Sequence, residues 1–148
     1  GFHTSMIEAS MMINDRMPEY CVERAARLLN KVKKPLNGSR VLVLGVAYKQ
    51  DIDDYRESPA INVIRHLEER GAEVVFYDPY IKEYKDEGNT KQGEESLTKE
   101  LIESADLVVV TTAHTNIDYD FVQQHAKLVF DTKNAMKDVS NRSNIEVL

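Results

Sequence analysis

The sequence predicts an α/β fold, a parallel sheet wrapped by helices and preceded by one long N-terminal helix. Three observations predict it. Val41–Val46 and Leu107–Val110 are unbroken apolar runs, as expected of strands covered on both faces. Between them Ile61, Ile64 and Leu67 recur with helical spacing. Ser58-Pro59, Gly71 and Asp78-Pro79 punctuate the alternation at the places where helices start and stop and strands end.

Residues 4–33 read as helix. Met17, Cys21, Ala25, Leu28 and Val32 form one stripe, which Met6 and Ile13 continue and Ile7 and Met11 widen. A helix of ~28 residues is about 42 Å long, more than a small domain needs. Pro18 removes one backbone donor and is expected to kink it or begin a second segment. The stripe covers either this domain's own sheet, as amphipathic helices mostly do, or a second subunit or missing domain. Pro35, Asn37 and Gly38 end the segment, dividing the chain into a helical part, residues 1–35, and an α/β part, residues 36–148.

In the α/β part the run 41–46 is the first strand. Ser58 is an N-cap, and Pro59 suits the first helical turn that follows. Gly71 stops that helix, and 73–77 is the second strand. Residues 82–95 are polar, carry Gly88 and Gly93, and read as a mobile loop. A short helix over 97–104, a strand over 107–110, a helix over 119–125 and a strand over 128–130 follow, with 145–148 an edge strand. Right-handed crossovers make this sheet parallel.

With 148 residues the chain is long enough to bury roughly two thirds of its unfolded surface. A net charge of -6 speaks against nucleic acid as a partner. No apolar run approaches the ~18 residues that cross a bilayer, and the start does not have the pattern of a signal peptide. A single cysteine makes a reducing cytoplasm the default location. The opening Gly1-Phe2-His3, without an initiator methionine, reads as a piece of something longer.

Open α/β sheets bind ligands at the carboxyl ends of their strands. Four strand exits here offer Lys49, Asp78, His114 and Lys133 to one crevice. Lys49, taken as buried, and Arg56 share the first exit loop and suit an anionic, phosphate-bearing ligand. His114, in VVVTTAHTN, is either an exposed loop histidine or a ligand contact. Gly45 lacks the GxGxxG spacing and no GxxxxGK[ST] occurs, so any phosphate contact must come from side chains. Asp53, Asp54 and Glu57 suit salt bridging to Arg56 better than a metal, and no metal site is expected. Cys21 lies on the apolar stripe without a neighbouring histidine, so no catalytic residue is assigned. A phosphoacceptor receiver domain shares the α/β alternation, but needs an aspartate where Thr111-Thr112 stand.

The segment GVAYKQDIDDYRESPA resembles the signature that opens the C-terminal domain of the UDP-glucose/GDP-mannose dehydrogenases, close to G-x-A-[FY]-K-x-x-x-x-D-x-R-E-S-P. GFHTSMIEASMMINDRMPEY is similar to the central dimerisation helix of the branch that oxidises UDP-N-acetylglucosamine or a close relative. VVFYDP, TAH and VFDTKN follow in the family's order. The resemblance implies a Rossmann-like UDP-sugar-binding domain of an NAD-dependent nucleotide-sugar 6-dehydrogenase, active in polysaccharide precursor synthesis. In that family two NAD are consumed as the C6 alcohol becomes a carboxylate, through a cysteine-bound thiohemiacetal and thioester. The NAD domain and the catalytic cysteine would precede this region, so the chain alone would be inactive. By motif position Tyr48 and Lys49 would contact the UDP-sugar and Arg56 the NAD. Lys133 stands where the family often has an arginine; it keeps the charge but loses the planar fork. The resemblance also implies a homodimer. A free-standing nucleotide-binding or scaffold module, dimerising through its first helix, is the alternative.

Overall fold

The computed structural model describes residues 2–148 along the backbone and side-chain surroundings from residue 17 onward. The stripe positions Met6, Ile7, Met11 and Ile13 lie outside the residues so described. The first element, α1 (Phe2–Lys31), is one helix that runs through Pro18, so no second segment begins there. Its second half packs on α2 (Pro59–Glu69) and into the same core as the sheet, burying Cys21, Val22, Ala25, Leu28 and Leu29. Val32 does not follow the expected stripe: it lies just past the helix end and is exposed.

Five strands form a parallel sheet in the order β2-β1-β5-β6-β7. They are β1 (Arg40–Leu44), β2 (Glu73–Tyr77), β5 (Leu107–Val110), β6 (Val129–Asp131) and β7 (Ile145–Val147). The apolar runs alternate between two buried layers. Val41, Val43, Leu107 and Val109 face α1 and α2, while Leu42, Leu44, Val108 and Val110 join α3 (Lys99–Ser104) and α4 (Tyr119–His125). Such strands cannot slip register without exchanging their two faces. The chain leaves β1 toward β2 and later returns to β5 on β1's other side. The strand order therefore reverses between β1 and β5, the position at which open α/β sheets bind ligands.

The caps follow the local chemistry. Ser58 accepts the amide of Ala60 with Pro59 in the first turn, Thr98 accepts that of Leu101, and Asp118 that of Phe121. The expected loop over 82–95 is instead a hairpin, β3 (Glu83–Asp86) paired antiparallel with β4 (Asn89–Gln92). Glu87 and Gly88 both have positive φ, the geometry of a two-residue hairpin turn. Tyr84, only 3% exposed, anchors the hairpin against Phe76 and Tyr55, with ring centroids at 5.2 and 6.0 Å. Arg65 on α2 pairs with Asp86, and Lys91 with Glu68. On the outer side of β2, the Lys91 ammonium donates to the Val74 carbonyl (3.0 Å) and the Glu94 amide to that of Phe76 (2.8 Å).

Candidate functional site: the crevice between the β1 and β5 exits

β1 ends at Leu44, and the next residue, Gly45, turns the chain away from the sheet with a φ of +91°. A Cβ at that position would lie 2.4 Å from the Thr112 Cβ, so the two strand exits meet where only glycine fits. Thr111 donates its hydroxyl to the Gly45 carbonyl, and Thr112 donates to that of Ala47 (3.0 Å). The Ser58 hydroxyl reaches the same Ala47 carbonyl at 3.2 Å. These bonds hold the floor of a cavity of ≈ 350 Å³, bordered by Tyr48, Lys49, Pro59, Thr112 and Lys133.

The structure brings Tyr48, Lys49 and Lys133 together at this cavity. Tyr48 is 48% exposed, with its ring at the cavity's rim. Lys49 is exposed, not buried as the sequence suggested, because the chain has already left the sheet at Ala47. Its ammonium stands 5.7 Å from the Tyr48 ring centroid. Lys133 is also exposed, and among the described residues neither lysine enters an ion pair. Asp131, fully buried, shapes the Lys133 loop by accepting the amides of Lys133, Ala135 and Met136. A second cavity, ≈ 410 Å³, continues past Lys133 along Asn134 and Lys137.

Arg56 stands apart from that cavity wall, its side chain 83% exposed. Asp54 holds the guanidinium in a fork, Oδ1 accepting from Nε and Oδ2 from Nη2, both at 3.0 Å. This hydrogen-bonded pair holds the Asp54 carboxyl below the usual carboxylate range.

His114 is not the exposed loop residue that the sequence allowed. It is fully buried, and both ring nitrogens are engaged inside the protein. Nδ1 accepts the Asp51 amide at 2.8 Å, and Nε2 lies 2.9 Å from Asp78 Oδ2. A ligand could take a hydrogen bond from this ring only by displacing one of those partners. Asp78 is equally enclosed, at 1% exposure. Its Oδ2 also accepts from Val46 (2.8 Å) and Ala47 (3.3 Å), its Oδ1 from Tyr80 (2.8 Å) and Ile81 (3.1 Å). Burial works to raise this carboxyl, but the His114 bond and the amides outweigh it, leaving it below its ordinary value. Of the four side chains expected at the crevice, Lys49 and Lys133 border the cavity and Asp78 and His114 form the buried frame beneath it.

Cys21 is buried, and burial pushes its thiol up despite the nearby Lys133 and Arg24 cations. That setting lowers its nucleophilicity at neutral pH. The roles of Asp131, Thr111 and Thr112 went unread in the sequence. The Asp131-Thr132 step directly after an apolar run was the available signal for a capped strand exit.

A parallel sheet with a glycine-floored crevice at its switch point, bordered by two lysines, is the architecture in which open α/β proteins bind ligands. Residues 42–138 match the UDP-glucose/GDP-mannose dehydrogenase family, UDP binding domain, and the chain belongs to that family. It is 30% identical over 142 residues to the UDP-N-acetyl-D-mannosamine dehydrogenase of Methanocaldococcus jannaschii, covering 90% of this chain and 30% of that protein. The Methanococcus maripaludis (strain C7) enzyme of the same name is 33% identical over 145 residues, covering 91% of this chain and 31% of its own. The UDP-N-acetyl-D-glucosamine 6-dehydrogenase of Pseudomonas aeruginosa is 30% identical over 81 residues, 55% of this chain and 19% of that protein. Among solved structures, the UDP-D-ManNAc dehydrogenase of Pyrococcus horikoshii superposes with a TM-score of 0.75 at 26% identity, over 92% of this chain and 31% of that one. The chain thus spans about a third of the length of these relatives.

Proposed function

We propose that the crevice binds the diphosphate of a UDP-sugar, and that the chain is the C-terminal part of an NAD-dependent nucleotide-sugar 6-dehydrogenase. The observation that carries this is the pair Lys49 and Lys133: two cations without acidic partners among the described residues, facing one ≈ 350 Å³ cavity in a protein of net charge -6. Both ammonium groups border the cavity, so among the described residues nothing competes with a ligand's phosphate for their charge. Tyr48 offers the exposed ring face on which a base or sugar can lie.

NAD, when bound, would accept the hydrides as the sugar's C6 alcohol becomes a carboxylate. Arg56 fits that cofactor's pyrophosphate: its plane is fixed by Asp54 while the rest of the guanidinium faces solvent. In this reading residues 1–35 form the central, dimer-making helix and residues 36–148 the UDP-sugar domain. A nicotinamide-binding domain and the reacting cysteine come from a further part of the same protein, in the cytoplasm, and this chain alone turns nothing over. Supporting it are the family match and the absence, among the described residues, of a thiol with a lowered pKa.

Calorimetric titration of this chain with UDP tests the reading, with uridine as control. Binding of UDP with no detectable binding of uridine is expected, because the two lysines act on phosphate. Equal binding of both, or of neither, would overturn it.

A further inference from the structure

The loop that carries Tyr48, Lys49 and Arg56 is polar, largely exposed, and has no regular secondary structure. A loop of this kind holds its side chains in place only if its backbone is tied to something rigid. The Tyr48 amide donates to the Asp54 carbonyl at 2.7 Å, a tie that closes the loop on itself without fixing it to the sheet. At its far end the Tyr55 ring packs on Tyr84 and its hydroxyl accepts the Lys85 amide at 3.4 Å; in the middle of the loop the ties to the body come at Asp51. Its amide donates to His114 Nδ1 at 2.8 Å, and its carboxylate accepts from the Thr115 amide and hydroxyl, both at 2.8 Å. Asp51 takes a φ of +61°, a conformation rare outside glycine, which such a set of bonds maintains.

The other side of the imidazole is anchored more firmly still. Because Nδ1 accepts a hydrogen bond, the ring proton resides on Nε2 and is donated to Asp78 Oδ2 at 2.9 Å. Asp78, at the β2 exit, is itself locked by four backbone amides, two of its own loop (Tyr80 and Ile81) and two of the β1 exit (Val46 and Ala47). The Tyr119 hydroxyl holds the His114 carbonyl at 2.8 Å, and the Tyr80 ring packs 5.0 Å from the imidazole. A chain of hydrogen bonds therefore runs from the β2 exit through Asp78 and His114 to the middle of the β1 exit loop.

We propose that His114 is a positioning residue, a buried latch that fixes the 48–56 loop through the Asp51 amide and so presents Tyr48 and Lys49 to the crevice. The effect on ligand rests on the reading of that crevice as a UDP-sugar site; the latch itself does not. Two variants separate the ring's two bonds. His114→Asn keeps an acceptor near the Nδ1 position and loses the donor to Asp78. His114→Gln keeps a donor near Nε2 and loses the acceptor for Asp51.

Amide hydrogen exchange at Asp51 and UDP affinity are measured on the chain and both variants. The latch requires a protected Asp51 amide in the parent and in His114→Asn, with exchange about tenfold faster in His114→Gln. It also requires the UDP dissociation constant to rise about threefold to tenfold in His114→Gln alone, the size of one lost neutral hydrogen bond. Should His114→Gln fail to fold, His114→Asn carries the test alone, and an Asp51 amide that exchanges there about tenfold faster than in the parent would overturn the latch. So would equal exchange in the Asn and Gln variants. A parent chain that protects Asp51 but binds no UDP would sink the site assignment and leave the latch standing.

Discussion

Replacing Asp78 by asparagine should be far more costly than its near-identical shape suggests. The two carboxylate oxygens accept five hydrogen bonds, three at Oδ2 from Val46, Ala47 and His114, and two at Oδ1 from Tyr80 and Ile81. An amide must put its NH2 in one of the two positions, and either choice points a donor at two backbone N–H groups. The His114 ring can change tautomer only by giving up its bond from the Asp51 amide, and the backbone amides cannot change at all. Each orphaned buried donor costs about 1–3 kcal/mol, so the pair should cost roughly 4 kcal/mol. With a urea slope of about 2 kcal/mol/M for a chain of this size, the denaturation midpoint falls by about 2 M. Urea titration followed by circular dichroism measures it. A fall of less than about 0.5 M at an unchanged slope would refute the claim that this carboxylate organises the strand exits.

The same group sets an acid limb. Its native pKa lies below the unfolded one, so its stabilisation is complete above the ordinary carboxylate value and is lost as pH falls through the depressed native value. Urea midpoints taken from pH 6 down to pH 3 should therefore decline less steeply in Asp78→Asn than in the parent. Gly45→Ala should destabilise by about 3 kcal/mol or more, since the new Cβ would lie 2.4 Å from the Thr112 Cβ at a φ of +91°. Gly38→Ala, with similar φ but nothing within 4 Å, should cost only about 1 kcal/mol by thermal melting. Lys133→Ala should weaken UDP binding about tenfold by calorimetry, the low end for a charged hydrogen bond because the side chain is exposed. In the longer protein, Arg56→Ala should weaken NAD binding and leave UDP affinity within about twofold.

What the sequence made legible was whatever has a local cause. The bounds of β2 and β5 came out of apolar runs closed by Asp78-Pro79 and Thr111-Thr112, and the α2 start came out of Ser58-Pro59. The hairpin was hidden because its only buried anchor is Tyr84, whose partners Phe76 and Tyr55 lie on other elements, and its turn lacks an Asn-Gly or Asp-Gly pair. At the site, residue types and strand exits were readable and depth was not. Lys49 lies outside and His114 inside because Asp78, 36 positions away in sequence, draws the imidazole under the loop. A lysine after an apolar run and a histidine after another give the same local signal, and only tertiary pairing tells ligand contact from frame.

The way Lys91 and Glu94 close the outer side of β2 affects how copies of the chain meet. An outermost strand normally leaves a row of free carbonyls on which a neighbour can add a strand of its own. Here the Val74 carbonyl is taken by an ammonium that Glu68 also holds, and the Phe76 carbonyl by a main-chain amide. An incoming strand would have to displace a charged donor and peel back the segment after the hairpin before it made its first bond. On that flank the sheet is self-terminating, and crowding of many copies finds no template there for stacking.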